Sequence, residues 1–228
     1  MNIGQEPQSI IEQRLRKEKL SFSSIDQMSG KKVLDVGCGS GDVYDGIELD
    51  FMIDAIEPDE TLRKLALDKK IYSNIFESVS VVNVVDYDYV TIFGVLEHIE
   101  DRDFFLDQFR NAKKIFITVP NGNSFHRLLG VELGIIDYPC EITPQDRSIG
   151  HKIVYNEESL MMQVNNFCEK NRFSISKFGS SSFKFSGNKE MSFFEDRFSA
   201  LAKTAEKIGI IGEGKFYGAE LFLEMEKK

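Results

Sequence analysis

The sequence predicts an α/β fold whose largely parallel sheet is covered by helices on both faces. Two observations carry this. Short apolar strands alternate with helical stretches over the first half of the chain, and the fourth strand is a continuous β-branched run rather than an alternating one. The first strand also runs straight into Gly37-Cys38-Gly39-Ser40-Gly41, a turn of the type that opens a strand-to-helix crossover. With 228 residues, one domain spanning residues 1–228 is expected.

The elements follow in order. Pro7 to Leu20 reads as an amphipathic helix, with Ile10, Ile11, Leu15 and Leu20 on one face, and residues 5–20 are a candidate lid. Lys32 to Val36 is the first strand, and a helix is expected after the glycine turn. Phe51 to Ile56 is a second strand, Glu60 to Leu67 a helix, Ile71 to Phe76 a third strand and Tyr87 to Phe93 a fourth. A helix is expected to start at Glu97-His98. Asp103 to Ala112 reads as a helix and Lys114 to Val119 as a fifth strand closed by Pro120. Residues 121–150 are punctuated by Gly, Pro and Asn around a helical stretch from Ser124 to Leu129, and read as an insertion over the strand ends. Asn156 caps a helix running to Glu169. Phe173 to Phe178 and Phe216 to Met225 read as the last strands, with a helix from Met191 to Lys207 between them. Phe183, Phe185, Phe193, Phe194 and Phe198 are expected in a core or an oligomer interface.

Bulk composition narrows the function. Hydrophobic residues at 42% and charged residues at 29% describe a packed globular chain. The net charge of −9 leaves a deficit of the cations that a duplex binder needs, so no nucleic-acid partner is expected. Cys38, Cys140 and Cys168 have no regular spacing, which fits a reducing compartment and argues against a disulfide framework. No apolar run is long enough to span a bilayer, and Met1 to Leu20 lacks a signal-peptide core. A cytoplasmic monomer or homodimer is expected.

Val33-Leu34-Asp35-Val36-Gly37-Cys38-Gly39-Ser40-Gly41-Asp42 is the most informative segment. Its glycines allow a tight turn and close approach of the backbone to a ligand. Glu57 follows the next strand, where a carboxylate can accept both hydroxyls of a ribose. A dinucleotide fingerprint would put its third glycine where Asp42 stands, beside a pyrophosphate, so a nicotinamide-dependent oxidoreductase is disfavoured.

Asp35 to Gly41 resembles the first motif of the class I S-adenosylmethionine methyltransferases. Tyr87-Asp88-Tyr89-Val90-Thr91-Ile92-Phe93-Gly94-Val95-Leu96-Glu97-His98 is similar to the fourth-strand motif of that superfamily. Val119 to Arg127 and Gly150 to Tyr155 resemble segments of a small-molecule subset that includes ubiquinone-type O-methyltransferases and enzymes found with sugar and glycan (polysaccharide) biosynthesis. The resemblance implies a Rossmann-like sheet of seven strands, mostly parallel with the last antiparallel. It implies S-adenosyl-L-methionine as cofactor and S-adenosyl-L-homocysteine as product. The backbone of Gly37, Gly39 and Gly41, with Cys38 between them, would line the methionine part. Asp35 would orient the loop or reach the amino group through water, and Glu57 would hold the ribose hydroxyls. Ser78 would flank the adenine, and Gly94 would offer its carbonyl to the ammonium. Many relatives carry an acid after the third strand, where this chain has the apolar Val79 to Val85, and another at the position of Gly94.

Methyl transfer to a hydroxyl needs a proton acceptor, and the chain has three histidines. His126 and His151 are the candidate bases. His98 and Arg127 are candidate acceptor contacts, with Arg127 able instead to pair with an acid such as Glu132. Asp86, Asp88 and Asp137 are scattered, no metal constellation stands out, and a metal-independent enzyme is expected. The leading expectation is methyl transfer to an oxygen of a sugar or sugar-linked acidic metabolite. A small-molecule N-methyltransferase and a non-catalytic cofactor-binding protein of the same fold are the alternatives.

Overall fold

The computed structural model describes residues 28–184 and 198–228. The proposed lid at 5–20, Phe185, Phe193, Phe194 and the start of the Met191–Lys207 helix lie outside the described residues.

Eight strands form one sheet: β1 (Lys32–Val36), β2 (Met52–Ile56), β3 (Asn74–Phe76), β4 (Tyr89–Phe93), β5 (Lys114–Pro120), β6 (Phe173–Ser181), β7 (Gly212–Glu213) and β8 (Glu220–Lys227). Their order is β3-β2-β1-β4-β5-β8-β6-β7. The first five pair parallel, as expected. β8 lies antiparallel between β5 and β6. The strand beyond the expected seven is β7, which pairs with the edge of β6 at Gly179 and Ser180. Gly179 is required there, because a side chain on it would run into the Gly212 backbone.

Alternation along the strands separates two cores. Leu34, Val36, Val90, Ile92, Ile115, Ile117, Leu221 and Leu223 point to one face. That face is covered by α2 (Arg102–Asp107) and α5 (Glu157–Asn171), through Leu106, Leu160, Val164 and Phe167. Val33, Ile53, Ala55, Tyr89, Phe93, Phe116 and Phe222 point to the other, where Ala66 of α1 (Glu60–Asp68), Met28, Tyr44 and Tyr72 meet them. Local chemistry sets the helix ends. Asp59 caps α1 by accepting from Thr61 N and Leu62 N. Asn156 and Ser159 form a reciprocal capping box on α5, and Arg172, in the left-handed conformation, ends it. α3 (Phe125–Glu132) and α4 (Pro144–Ser148) lie within residues 121–150, and α6 (Phe198–Lys207) supplies the described part of the late helix.

Two expected helices are absent. No helix follows the glycine turn. Asp42 to Phe51 is a series of turns, with Asp45 N donating to Asp42 O at 3.3 Å and Ile47 N to Tyr44 O at 3.2 Å. This connection carries Asp42, Asp45, Glu48, Asp50 and a left-handed Gly46, a composition that opposes a helix. Lys69, at the end of α1, pairs with Asp42 and with Asp45 and holds the loop down. Tyr44 is fully buried in the second core, edge-on to Tyr72. The segment at Glu97-His98 is a single 3-10 turn, Leu96–His98, and not the start of an α-helix.

A buried carboxylate also ties the parallel half together. Asp54 in β2 accepts from Tyr87 Oη at 2.8 Å and from Asn74 Nδ2 at 2.8 Å, with Lys32 Nζ at 3.4 Å. Asp54→Ala strands these donors and is expected to cost about 2–3 kcal/mol. Urea unfolding should show a lower midpoint with an unchanged slope. An unchanged midpoint would show that the cluster contributes no net stability.

Candidate active site

The glycine turn begins where β1 ends. Gly37 and Gly39 both have positive φ, +73° and +57°. A Cβ on Gly37 would collide with the Val95 side chain. A Cβ on Gly39 would meet nothing within 4 Å, so its backbone is bare on the open side. The Gly39 N–H donates to Glu57 Oε2 at 2.8 Å, and the Asp59 N–H donates to Glu57 Oε1 at 2.9 Å. Glu57 is only 6% exposed, yet each carboxylate oxygen keeps acceptor capacity beyond these single bonds. The end of β2 and the turn after β1 are thereby joined through one carboxylate. Burial pushes the Cys38 thiol up to about 12, with the Asp35 and Glu57 charges adding to it, so the thiol stays protonated and unreactive.

Asp35 lies one residue before the end of β1, with its side chain in the second core and 1% exposed. Tyr72 Oη donates to Asp35 Oδ2 at 2.9 Å, and Thr91 Oγ1 donates to Asp35 Oδ1 at 2.9 Å. Tyr44 Oη lies 3.2 Å from Thr91 Oγ1 and extends the network. Burial first, and the Asp35 charge second, hold both tyrosines well above the ordinary phenol range, so they remain donors. Sequence reasoning singled out Asp35 but missed Tyr44, Tyr72 and Thr91. Their periodicity marks them as core, and nothing local signals the shared carboxylate.

Gly94 follows β4 with φ +67° and donates its N–H to Thr118 O at 2.9 Å. Ser78 follows β3, caps the 3-10 turn Val79–Val81 and accepts from Ser80 N. The predicted loop residues and Glu57 come together around the turn, with Gly94 on the neighbouring strand β4.

His98 and His151 meet beyond the end of β4, while His126 lies on α3. His98 and His151 stack edge-on with ring centroids 4.8 Å apart. His151 Nδ1 lies 3.2 Å from Asp146 Oδ1, and the Asp146 charge acts on His126 and His151 alike. Burial pushes His126 down to about 4, helped by the Lys184 and Arg127 charges and opposed by Asp146. Burial and the neighbouring His98 also push His151 down. Both rings are therefore neutral at pH 7. Arg127 is committed within its own segment. Its Nε donates to Pro139 O at 2.6 Å, another nitrogen donates to Glu141 O, and a third lies 3.4 Å from Asp146 Oδ2. Its partner acid is Asp146, and the guanidinium staples residues 121–150 into shape. Asp146 escaped sequence reasoning, although Thr143 and Asp146 carry the capping-box spacing that starts α4. Phe183, from the late aromatic cluster, packs on Phe125 and lies in a small core with Ala205 and Ile211. All three cysteines are free. Among the described residues, no helix is long and apolar enough to cross a membrane.

Comparison with known proteins gives the family and the fold. Residues 8–166 match a family model described as a methyltransferase domain. The fold is similar to that of a SAM-dependent methyltransferase from Thermotoga maritima, described as a possible histamine N-methyltransferase. That match has 13% identity and a TM-score of 0.64, and covers 95% of this chain and 91% of the other. It is also similar to magnesium protoporphyrin IX methyltransferase from Synechocystis PCC 6803 with bound SAH, at 14% identity, a TM-score of 0.60, and 96% and 84% coverage. A plantazolicin methyltransferase, in complex with a desmethyl substrate analogue and SAH, matches at 16% identity and a TM-score of 0.59, covering 96% and 85%.

His126 gives the site a pH signature. Its pKa is about 4 folded, against about 6.5 for an unperturbed imidazole. Between these values the unfolded chain binds the extra proton, so stability falls as pH drops from about 6.5 to 4. The His126 share of that loss is on the order of 1–3 kcal/mol. His126→Gln should flatten the slope of unfolding free energy against pH in this window. A slope identical to the parent's would show that His126 titrates normally.

Proposed function

Because this chain belongs to the methyltransferase-domain family, we propose that it binds S-adenosylmethionine at the Gly37–Gly41 turn and passes the methyl group to a small-molecule acceptor, an oxygen of a sugar or sugar-linked acidic metabolite. One observation carries the cofactor reading: the bare backbone of Gly39, hydrogen-bonded to a buried carboxylate at the end of the next strand. The residues fit a ligand with a ribose and no phosphate, since the nearest side chains, Glu57 and Asp42, are acids. When bound, the cofactor supplies an electrophilic methyl group on a sulfonium.

The chain supplies binding, alignment and a proton acceptor. Glu57 accepts the ribose hydroxyls through its remaining lone pairs. Asp35 holds the start of the turn through Tyr72 and Thr91, with Cys38 as a buried spacer. Ser78 borders the adenine side, and the Gly94 carbonyl receives the ammonium. His126 and His151, both neutral at pH 7, are the groups able to take the proton from an acceptor hydroxyl. His98 borders the same space, and Arg127 keeps residues 121–150 folded over it. The oxygen assignment rests on the neutral imidazoles and on the resemblance of residues 119–127 and 150–155 to the sugar-associated subset.

Calorimetric titration tests the cofactor reading. S-adenosylmethionine and S-adenosylhomocysteine should both bind in the micromolar range, and NADH should not. Glu57→Ala should weaken both sulfur ligands by tenfold or more, about 1.4 kcal/mol for each tenfold. Folded protein that binds neither sulfur ligand would overturn the proposal.

A further inference from the structure

Glu97, His98 and His151 each place a ligand atom within 4.8 Å of the others. The first two come from the 3-10 turn after β4, and the third closes the segment that begins after β5. The Lys152 N–H donates to Glu97 O at 2.8 Å and ties the two pieces together. Gly150 turns the chain at φ +87°, a conformation that favours glycine, and lies against His98, with a Cβ position 3.5 Å from His98 Nδ1. Glu97 is 2% exposed, and the side chain of His151 is 7% exposed.

The three side chains stand close together without hydrogen-bonding one another through the atoms that could hold an ion. His151 Nε2 lies 3.9 Å from Glu97 Oε1, beyond hydrogen-bond range, and the two imidazoles meet ring edge to ring face. The other nitrogen of His151 faces Asp146 at 3.2 Å. Asp146 is itself fixed by Thr143 N at 2.9 Å, Thr143 Oγ1 at 2.7 Å and Arg127. Asp146 stands beside one ring nitrogen of His151 while the other faces Glu97, and a small turn of the ring would convert the Asp146 contact into the hydrogen bond that orients a metal-bound histidine. Ligand atoms of a tetrahedral site with bonds of about 2.1 Å stand about 3.4 Å apart, so side-chain adjustments of about an ångström close the cluster.

We propose that Glu97, His98 and His151 form a three-ligand site for a divalent first-row transition ion, with Asp146 orienting His151. Two imidazoles and one carboxylate favour zinc, cobalt or iron(II) over magnesium or calcium, which seek all-oxygen sets. Three protein ligands leave a coordination position open, as in catalytic sites. The site adjoins Gly94, whose added Cβ would lie 3.5 Å from Glu97 Oε1, and so stands at the strand end that the methyltransferase reading assigns to the cofactor. The ion's use as a Lewis acid for an acceptor oxygen rests on that reading; its binding does not. The site runs against the metal-independent enzyme expected from sequence, and with the ion bound His151 is a ligand, so that His126 is left as the candidate base.

The test uses untagged full-length protein stripped with a chelator and titrated with Co(II). One equivalent should bind, with the intense visible bands of four- or five-coordinate cobalt, and Zn(II) should displace it. His98→Gln, His151→Gln and Glu97→Gln should each lower affinity at least tenfold while the far-UV circular dichroism holds. Asp146→Asn should also lower it, by less than any of the three ligand variants. No stoichiometric binding, or equal binding by parent and all three ligand variants, would overturn the site. S-adenosylhomocysteine is titrated separately into the stripped protein. If it binds and cobalt does not, only the metal site fails; if cobalt binds and it does not, only the methyltransferase reading fails.

Discussion

The Asp35 carboxylate of β1, buried between Thr91 of β4 and Tyr72 of the loop that follows α1, is the constraint on which the candidate site depends. An isolated charge in that position costs several kcal/mol, and the structure offsets it with two hydroxyl donors at 2.9 Å. Those donors do more than solvate it. Thr91 registers β4 against β1, and Tyr72 pins the chain leaving α1 beneath the glycine turn. The turn therefore starts from a fixed point. That anchoring explains how a ten-residue run of acidic turns serves where a helix is expected, with Tyr44 plugged into the same network and Lys69 clamping the loop from outside.

Glu57 completes the frame from the neighbouring strand. Its carboxylate spans the two loops of the proposed cofactor site, and backbone N–H groups hold it in place. Preorganisation of this kind reduces the ordering cost of binding. Burial, with two nearby carboxylates adding to it, also keeps the Cys38 thiol protonated, which removes a reactive group from the proposed seat of the electrophilic methyl donor. The histidine side of the site follows a different logic. There the segment 121–150 is held by Arg127, and Asp146 serves both that staple and His151.

Much of the sheet was legible because β1, β2, β4 and β5 are buried along most of their length and leave largely apolar runs, Tyr89 to Phe93 most clearly. The glycine loop and Glu57 were legible for a related reason: their chemistry is local or tied to a strand end. What escaped was tertiary or very short. β7 is only two residues long and exists because Gly179 lets another backbone approach. The helix expected after Gly41 failed because four acids and Gly46 outweighed the usual strand–turn–helix habit. Tyr72 and Thr91 read as core from their spacing, and only the fold shows that they share Asp35. Glu97, His98 and His151 are separated by the whole fifth strand and the segment after it, so no spacing rule joins them.

Hydrogen–deuterium exchange, with and without S-adenosylhomocysteine, tests the central claim that the turn braced by Asp35 and Glu57 is the cofactor cradle. The account predicts slowed exchange at the amides of Gly37 to Gly41 and around Glu57 to Asp59, with weaker effects beyond Gly94. Protection confined to other elements, or no protection at saturating ligand, would contradict it.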